Sequence, residues 1–173
     1  MNIKETLLQE HSKTQMIKIV TYIGNDKKLF KELMKLMLTA EYLVEHRAAW
    51  AVLICIEKNK SLLNPWIGKL VKNLENKTIH DAVKRNTLRI LQNIEIPEKN
   101  CGELYDSCYA FLHNLKEPIA VRAFALTVLT NISKKYPELK IEILHSAESL
   151  LQCGIPALES RGKQTIKKLS KKS

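Results

Sequence analysis

Few residues of this chain are spaced for chemistry. In "EILHSAE", residues 142–148, Glu142, His145 and Glu148 recur at i, i+3 and i+6 and would share one face of a helix. Carboxylate and imidazole in that order are the ligands of helical di-iron sites, but such a site needs a second Glu-x-x-His and two more glutamates on facing helices. No second Glu-x-x-His exists. An isolated trio supplies too few ligands for a metal, so a solvated helix face is the reading taken. The four cysteines, Cys55, Cys101, Cys108 and Cys153, are scattered, form no C-x-x-C pair and read as packed, reduced thiols. There is no G-x-x-x-x-G-K-[ST] or G-x-G-x-x-G phosphate loop, no G-x-S-x-G elbow and no H-E-x-x-H zinc helix, and five glycines leave little room for any. No cofactor, metal or catalytic set is therefore expected. Binding is the remaining chemistry, and it would fall to basic and amide side chains such as those of "HRAAWAVL", residues 46–53, and "KRNTLRILQN", residues 84–93.

What those side chains do depends on the elements that carry them. The chain has 173 residues, 45% of them hydrophobic and 27% charged, enough for one domain with a real core. Five glycines, five prolines and three phenylalanines are too few for the turns of an all-β protein, so the expectation is all-helical. Ser12 and Gln15 form an S-x-x-Q capping box, Gly24-Asn25 closes that helix, and Asp26 caps the next. Helices then follow at about 27–39, 42–59, 65–75, 79–95, 99–115, 118–135, 137–153 and 156–170, with Pro65, Pro118, Pro137 and Pro156 each near a first turn. The opening residues lack a secretory pattern and no apolar run suffices for a membrane span, so a cytoplasmic protein without membrane contact is expected.

Self-comparison of the chain shows a period near 38 residues. Trp50, Leu88 and Leu126 stand 38 apart, as do Leu53, Leu91 and Leu129 in the same helices. In the preceding helices Leu29, Ile67, Tyr105 and Ile143 keep that spacing, with Leu33, Val71, Tyr109 and Ala147, and Leu36, Leu74, Leu112 and Leu150. Columns in phase with a helical stripe at one period indicate stacked helix hairpins, about four of them. A lone hairpin cannot cover its apolar stripe, whereas a stack buries each stripe against the next. Residues 1–25 fall outside the columns and are expected to cap the stack, with the repeats over 26–170 and a basic end at 161–173, all in a single domain.

The segment Val121-Arg122-x-x-Ala125-Leu126-x-x-Leu129 resembles the second helix of HEAT repeats, with Glu117 at the place of that family's acidic turn residue. Earlier copies depart from it: Val83-Lys84 has Ile79 there, and the opening copy has Glu45-His46. The resemblance covers residues 26–170, and an armadillo-like or other α-α superhelix shares the arrangement. It implies a right-handed solenoid whose second helices line a concave surface, and a scaffold that binds a protein or peptide. It also implies that Arg122, with Lys84 and His46 in its column, bonds neighbouring turns of the stack. Alkylation-repair glycosylases share the helical-repeat architecture, but Trp50 and Trp66 here have no nearby Asp. A helical-repeat enzyme stays only as a remote alternative.

With Leu88 and Leu91 inward, the concave stripe reads Arg85, Arg89, Gln92 and Asn93, then Ala123, Thr127, Thr130 and Asn131 in the next copy, and Arg47, Ala51, Ile54, Cys55 and Lys58 in the first. Arg47, Arg85, Arg89, Gln92, Asn93, Thr127 and Asn131 are the candidate partner contacts. Arg85 and Arg89 serve equally to keep a helix soluble, and Ile54 and Cys55 are open either to a partner or to cover by the N-terminal helices. The formal charge of +10 raises nucleic acid as an alternative partner. Residues 161–173 hold six of the basic groups and no acid, leaving 22 basic against 18 acidic before them. That end is either a solvated cap or a phosphate-binding arm. Oligomeric state has no signature in the sequence.

Overall fold

Capping chemistry fixes where the helices begin. The Asn2 side chain accepts from the Glu5 amide, and the Ser12 hydroxyl from the Gln15 amide at 3.1 Å. The Asp26 carboxylate accepts from the amides of Lys28 and Leu29 at 2.7 and 3.2 Å. Each satisfies an amide that has no partner inside its own helix. Gly24, at φ +49°, supplies the turn before Asp26. The Ser12 box is completed differently from expectation. Gln15 is buried and donates 2.8 Å to the Thr6 carbonyl, which ties the second helix to the first.

The computed structural model describes residues 1–39, 41–76 and 79–170. Among them are ten α-helices, two 3-10 helices and no strand, the all-α architecture that the sequence predicts. Lys171, Lys172 and Ser173 of the basic end lie outside the described residues. The chain divides into two compact units, Met1–Gly68 and Lys69–Ser173.

In the first unit, α1 (Ile3–Gln9), α2 (Lys13–Ile23) and α3 (Lys27–Thr39) all pack on α4 (Tyr42–Lys58), which leads into a 3-10 helix over Lys60–Trp66. Because α4 is covered from several sides it is apolar around most of its circumference, with Val44, Ala48, Ala49, Ala51, Val52, Leu53, Cys55 and Ile56 buried. Of the two residues left open to a partner or to cover by the N-terminal helices, Cys55 is buried and Ile54 half-buried on α4, against which α1 and α2 pack. Trp50 is only half-buried and meets the His11 ring edge-on at 5.3 Å, so its equivalence to the fully buried Leu88 and Leu126 is corrected. An indole is too large and too polar at its nitrogen to take the place of a leucine knob.

The second unit holds most of α5 (Ile67–Leu74), then α6 (Asp81–Leu91), α7 (Glu98–His113), α8 (Ile119–Ser133), a 3-10 turn over Pro137–Leu139, α9 (Lys140–Ser149) and α10 (Pro156–Ser170). Two antiparallel pairs, α7 with α8 and α9 with α10, are joined by short turns, and α8 also packs on α6, α9 and α10. Enclosed in this way, α8 buries 11 of its 15 residues. The expected helix at 79–95 is shorter, because His80 Nδ1 accepts from the Ala82 amide to begin it and the Asn93 side chain donates to the Arg89 carbonyl to end it. The expected helix at 65–75 begins late for a similar reason, since Pro65 belongs to the preceding 3-10 helix.

Most column residues lie in the core, with Leu33, Val71, Leu88, Leu126 and Ala147 all fully buried, but Leu29 and Leu36 are only half-buried and Phe30 and Met37, one position later, are buried in their place. Tyr105 and Tyr109 depart from their column. Both are half-buried, and Leu104 and Cys108, one position earlier, are at 0% exposure in their place. The phenols explain the shift: Tyr105 donates to the Glu142 carboxylate, which requires its ring to stand at the rim.

Candidate binding surface

Only one stripe of α6 is open. Ala82, Lys84, Asn86, Thr87, Leu88, Ile90 and Leu91 are buried, whereas Asp81 and Arg89 are exposed and Arg85 is half-buried between them. Gln92 and Asn93 continue this line past the helix end. Four of the sequence-predicted contacts thus share one surface. A rise of about 1.5 Å per residue sets Arg85 and Arg89 roughly 6 Å apart along the axis. Asp81 precedes Arg85 by four residues and Arg89 stands in the last turn, so both cations also suit the charge pattern of the helix. Gln92 and Asn93 also act locally, since their amides donate to the Arg89 carbonyl at 3.4 and 2.8 Å and close the last turn.

The other three predicted contacts are held elsewhere. The Thr127 hydroxyl is buried, donates to the Ala123 carbonyl at 3.2 Å and accepts from Arg161 of α10 at 2.9 Å. Thr130, beside it, bonds Thr165 at 3.0 Å. That stripe of α8 is thus the α8–α10 interface and not an open face, because α10 lies on it. Asn131 donates to the Gln92 carbonyl at 3.0 Å and so borders the α6 surface. Arg47 belongs to the first unit, where Nη1 donates to the carbonyls of Leu7 and Leu8 at 2.6 and 3.2 Å. Those carbonyls lie in the last turn of α1, where a cation meets both unpaired acceptors and the negative end of the helix dipole. Arg47 therefore caps a helix, a role invisible in the columns because residues 1–25 have no counterpart in them.

Lys135 is a member of this surface that the columns do not single out. Its ammonium donates to the Ile96 carbonyl at 3.0 Å and pairs with Glu95 at 2.8 Å, fastening the α6–α7 connection beside Asn131. The signal in the sequence is its place one residue after Lys134, itself exposed at the end of α8.

The expected stacking column behaves in three ways. Lys84 reaches 33 residues along the chain to both oxygens of Glu117 at 2.7 and 2.8 Å, with each side chain 10% exposed, and lies 5.1 Å from the Phe111 ring centre. Arg122 Nε donates 3.0 Å to the Leu112 carbonyl and so braces its own hairpin. His46 meets His11 edge-on at 5.8 Å. Glu142, the first of the trio weighed for metal binding, accepts from Tyr105, and it, His145 and Glu148 are all exposed. Burial, and then the carboxylate that accepts its proton, push the Tyr105 phenol well above its usual range. Among the described residues no group of three or more His, Cys, Asp or Glu gathers as metal ligands do.

Named side-chain hydrogen bonds that join distant parts of the chain, such as Arg47–Leu7, Asn59–Asn25, Lys84–Glu117, Asn131–Gln92 and Thr130–Thr165, span 33 to 40 residues. Asn131–Gln92 joins α8 to the end of α6 and Thr130–Thr165 joins α8 to α10, as successive second helices of a linear repeat do, whereas Arg47–Leu7 ties α4 back to α1. None of the described helices is long and apolar enough to cross a membrane. No curated protein and no solved structure matches the chain. A family model described as a HEAT repeat domain matches residues 3–169.

Proposed function

The chain belongs to the HEAT repeat family, and from that premise we propose that it is a binding scaffold without catalytic activity that presents the open stripe of α6 to an acidic segment of a protein or peptide. The observation that carries this reading is that Arg85, Arg89, Gln92 and Asn93 follow Asp81 along the open stripe of α6 and past its end, on a helix with seven of its eleven residues buried. Guanidinium groups bind carboxylates through paired, charge-assisted hydrogen bonds, and amides beside them add orientation. A helix packed along its other faces holds these groups in place before a partner arrives, which lowers the ordering cost of binding.

The test compares wild type with Arg85→Glu/Arg89→Glu as bait in nuclease-treated cell extract, with circular dichroism confirming that both are folded. The proposal expects a set of proteins retained by wild type and lost from the variant. Retention of the same set by both, or of nothing by either, defeats it. The +10 charge favours phosphate binding as a second reading. In that case affinity for a nucleic acid duplex falls steeply with salt and again on Lys163→Gln/Lys167→Gln/Lys168→Gln. Deleting residues 161–173 is unsuitable for this purpose, because Gly162, Thr165 and Leu169 are buried parts of α10.

A further inference from the structure

A cavity of about 310 Å³ opens between α7, the end of α8 and the Pro137–Leu139 turn. Its base is apolar, made by Ile132, Leu139 and the buried Cys101. Tyr105 and Tyr136 supply aromatic walls, the first held in place through its bond to Glu142. The exposed lining residues are Glu98, Glu138 and Gly102. In a chain with a formal charge of +10, the charged groups around this opening are both carboxylates. Lys135, next to Tyr136, is directed to Glu95 and the Ile96 carbonyl.

Gly102 is an independent sign that the space is kept open. It lies inside α7, where glycine weakens a helix relative to alanine. Its backbone does not require glycine, since its φ is not positive and a Cβ built on it meets nothing within 4 Å. Packing does not explain the residue either, and Gly102 is one of the residues that line the cavity.

We propose that this cavity receives the side chain of a lysine or arginine carried by a partner peptide. The apolar base takes the methylene stem, as such side chains bury their stems against apolar surface. Tyrosine faces attract the cationic head, and Glu98 and Glu138 pair with it. An acidic side chain would be repelled here, and a purely apolar one would leave both carboxylates without a role. The volume is at the lower end for small-molecule pockets and suits one long side chain.

The test uses the full chain and two peptides, acetyl-Ala-Ala-Lys-Ala-Ala-amide and its norleucine counterpart, followed by the NMR signals of the Gly102 amide and the Tyr136 ring. The lysine peptide is expected to shift both signals saturably and to bind about tenfold more tightly than the norleucine peptide. Glu98→Gln/Glu138→Gln should remove that preference. Gly102→Leu should abolish the Tyr136 shift while the melting temperature stays at or above that of wild type. Equal binding of the two peptides, undiminished binding by Gly102→Leu, or no saturable shift with either peptide overturns the proposal. Because Arg85 and Arg89 are not among the residues lining the cavity, Arg85→Glu/Arg89→Glu should leave lysine binding intact, so this result and that of the α6 test are independent.

Discussion

Lys84 and Glu117 form the most buried ion pair named in the chain, each side chain 10% exposed and the ammonium in reach of both carboxylate oxygens. Taking two charges out of water costs as much as their attraction returns, so the pair matters less for net stability than for fixing which turn of one hairpin meets the next. Removing one partner is another matter. Glu117→Gln leaves the ammonium under Phe111 without its buried counter-ion and should lower stability by about 3 kcal/mol in urea unfolding. Lys84→Met/Glu117→Leu should recover most of that loss. A second residue reports through pH. Burial pushes the Cys55 thiol from 9.0 up to about 11, against a smaller opposing effect of Lys58. Since the folded state holds this proton more tightly, the stability it contributes is complete below pH 9 and is lost as the pH rises through 11. The loss attributable to the thiol is about 2 to 3 kcal/mol. Urea midpoints measured between pH 8.5 and 11 should therefore fall less in Cys55→Ala than in wild type.

At the scale of elements, two glycines inside helices carry opposite meanings. Gly162 is a contact: a Cβ there would stand 2.7 Å from the Ala147 carbonyl oxygen, so α10 approaches α9 at a distance only glycine permits. Gly162→Ala should force the pair apart and cost about 1 to 3 kcal/mol, read as a lowered melting temperature. Gly102 meets nothing, and Gly102→Ala should stabilise α7 by up to about 1 kcal/mol. Sequence alone could not separate these two, because the difference lies in the neighbour and not in the helix that holds the residue. Caps and most helix limits were legible, since Ser12, Asp26 and the prolines act on adjacent backbone. The register departed at aromatic column members, and also at Leu29 and Leu36, where Phe30 and Met37 take the interior. Tyr105 and Tyr109 share a spacing with core residues, yet their hydroxyls hold them at the rim, and the smaller Cys108 takes the interior. The α6 stripe was legible because every other face of that helix is apolar or buried. Arg47 was not, because its acceptors lie in α1, a segment with no repeat to align.

At the scale of the molecule, the bonds that join α8 to the end of α6 and to α10 imply stability built from neighbours within the second unit. Within the second unit α8 is the keystone, as it packs on α6, α7, α9 and α10. Leu126 is fully buried there, and Leu126→Ala should cost about 2 to 5 kcal/mol through the cavity it leaves. Its effect should travel to both sides, so amide hydrogen exchange should accelerate in α6 and in α10 together. Gly162→Ala acts at the α9–α10 contact and should accelerate exchange in those two helices most and in α6 least. Substitutions in a unit that unfolds all at once would instead speed every helix by the same factor for a given loss of stability. Matched destabilisation with unmatched exchange in α6 is therefore the outcome that a chain of neighbours requires. Equal acceleration of α6 by both variants would show that the second unit opens as a single body.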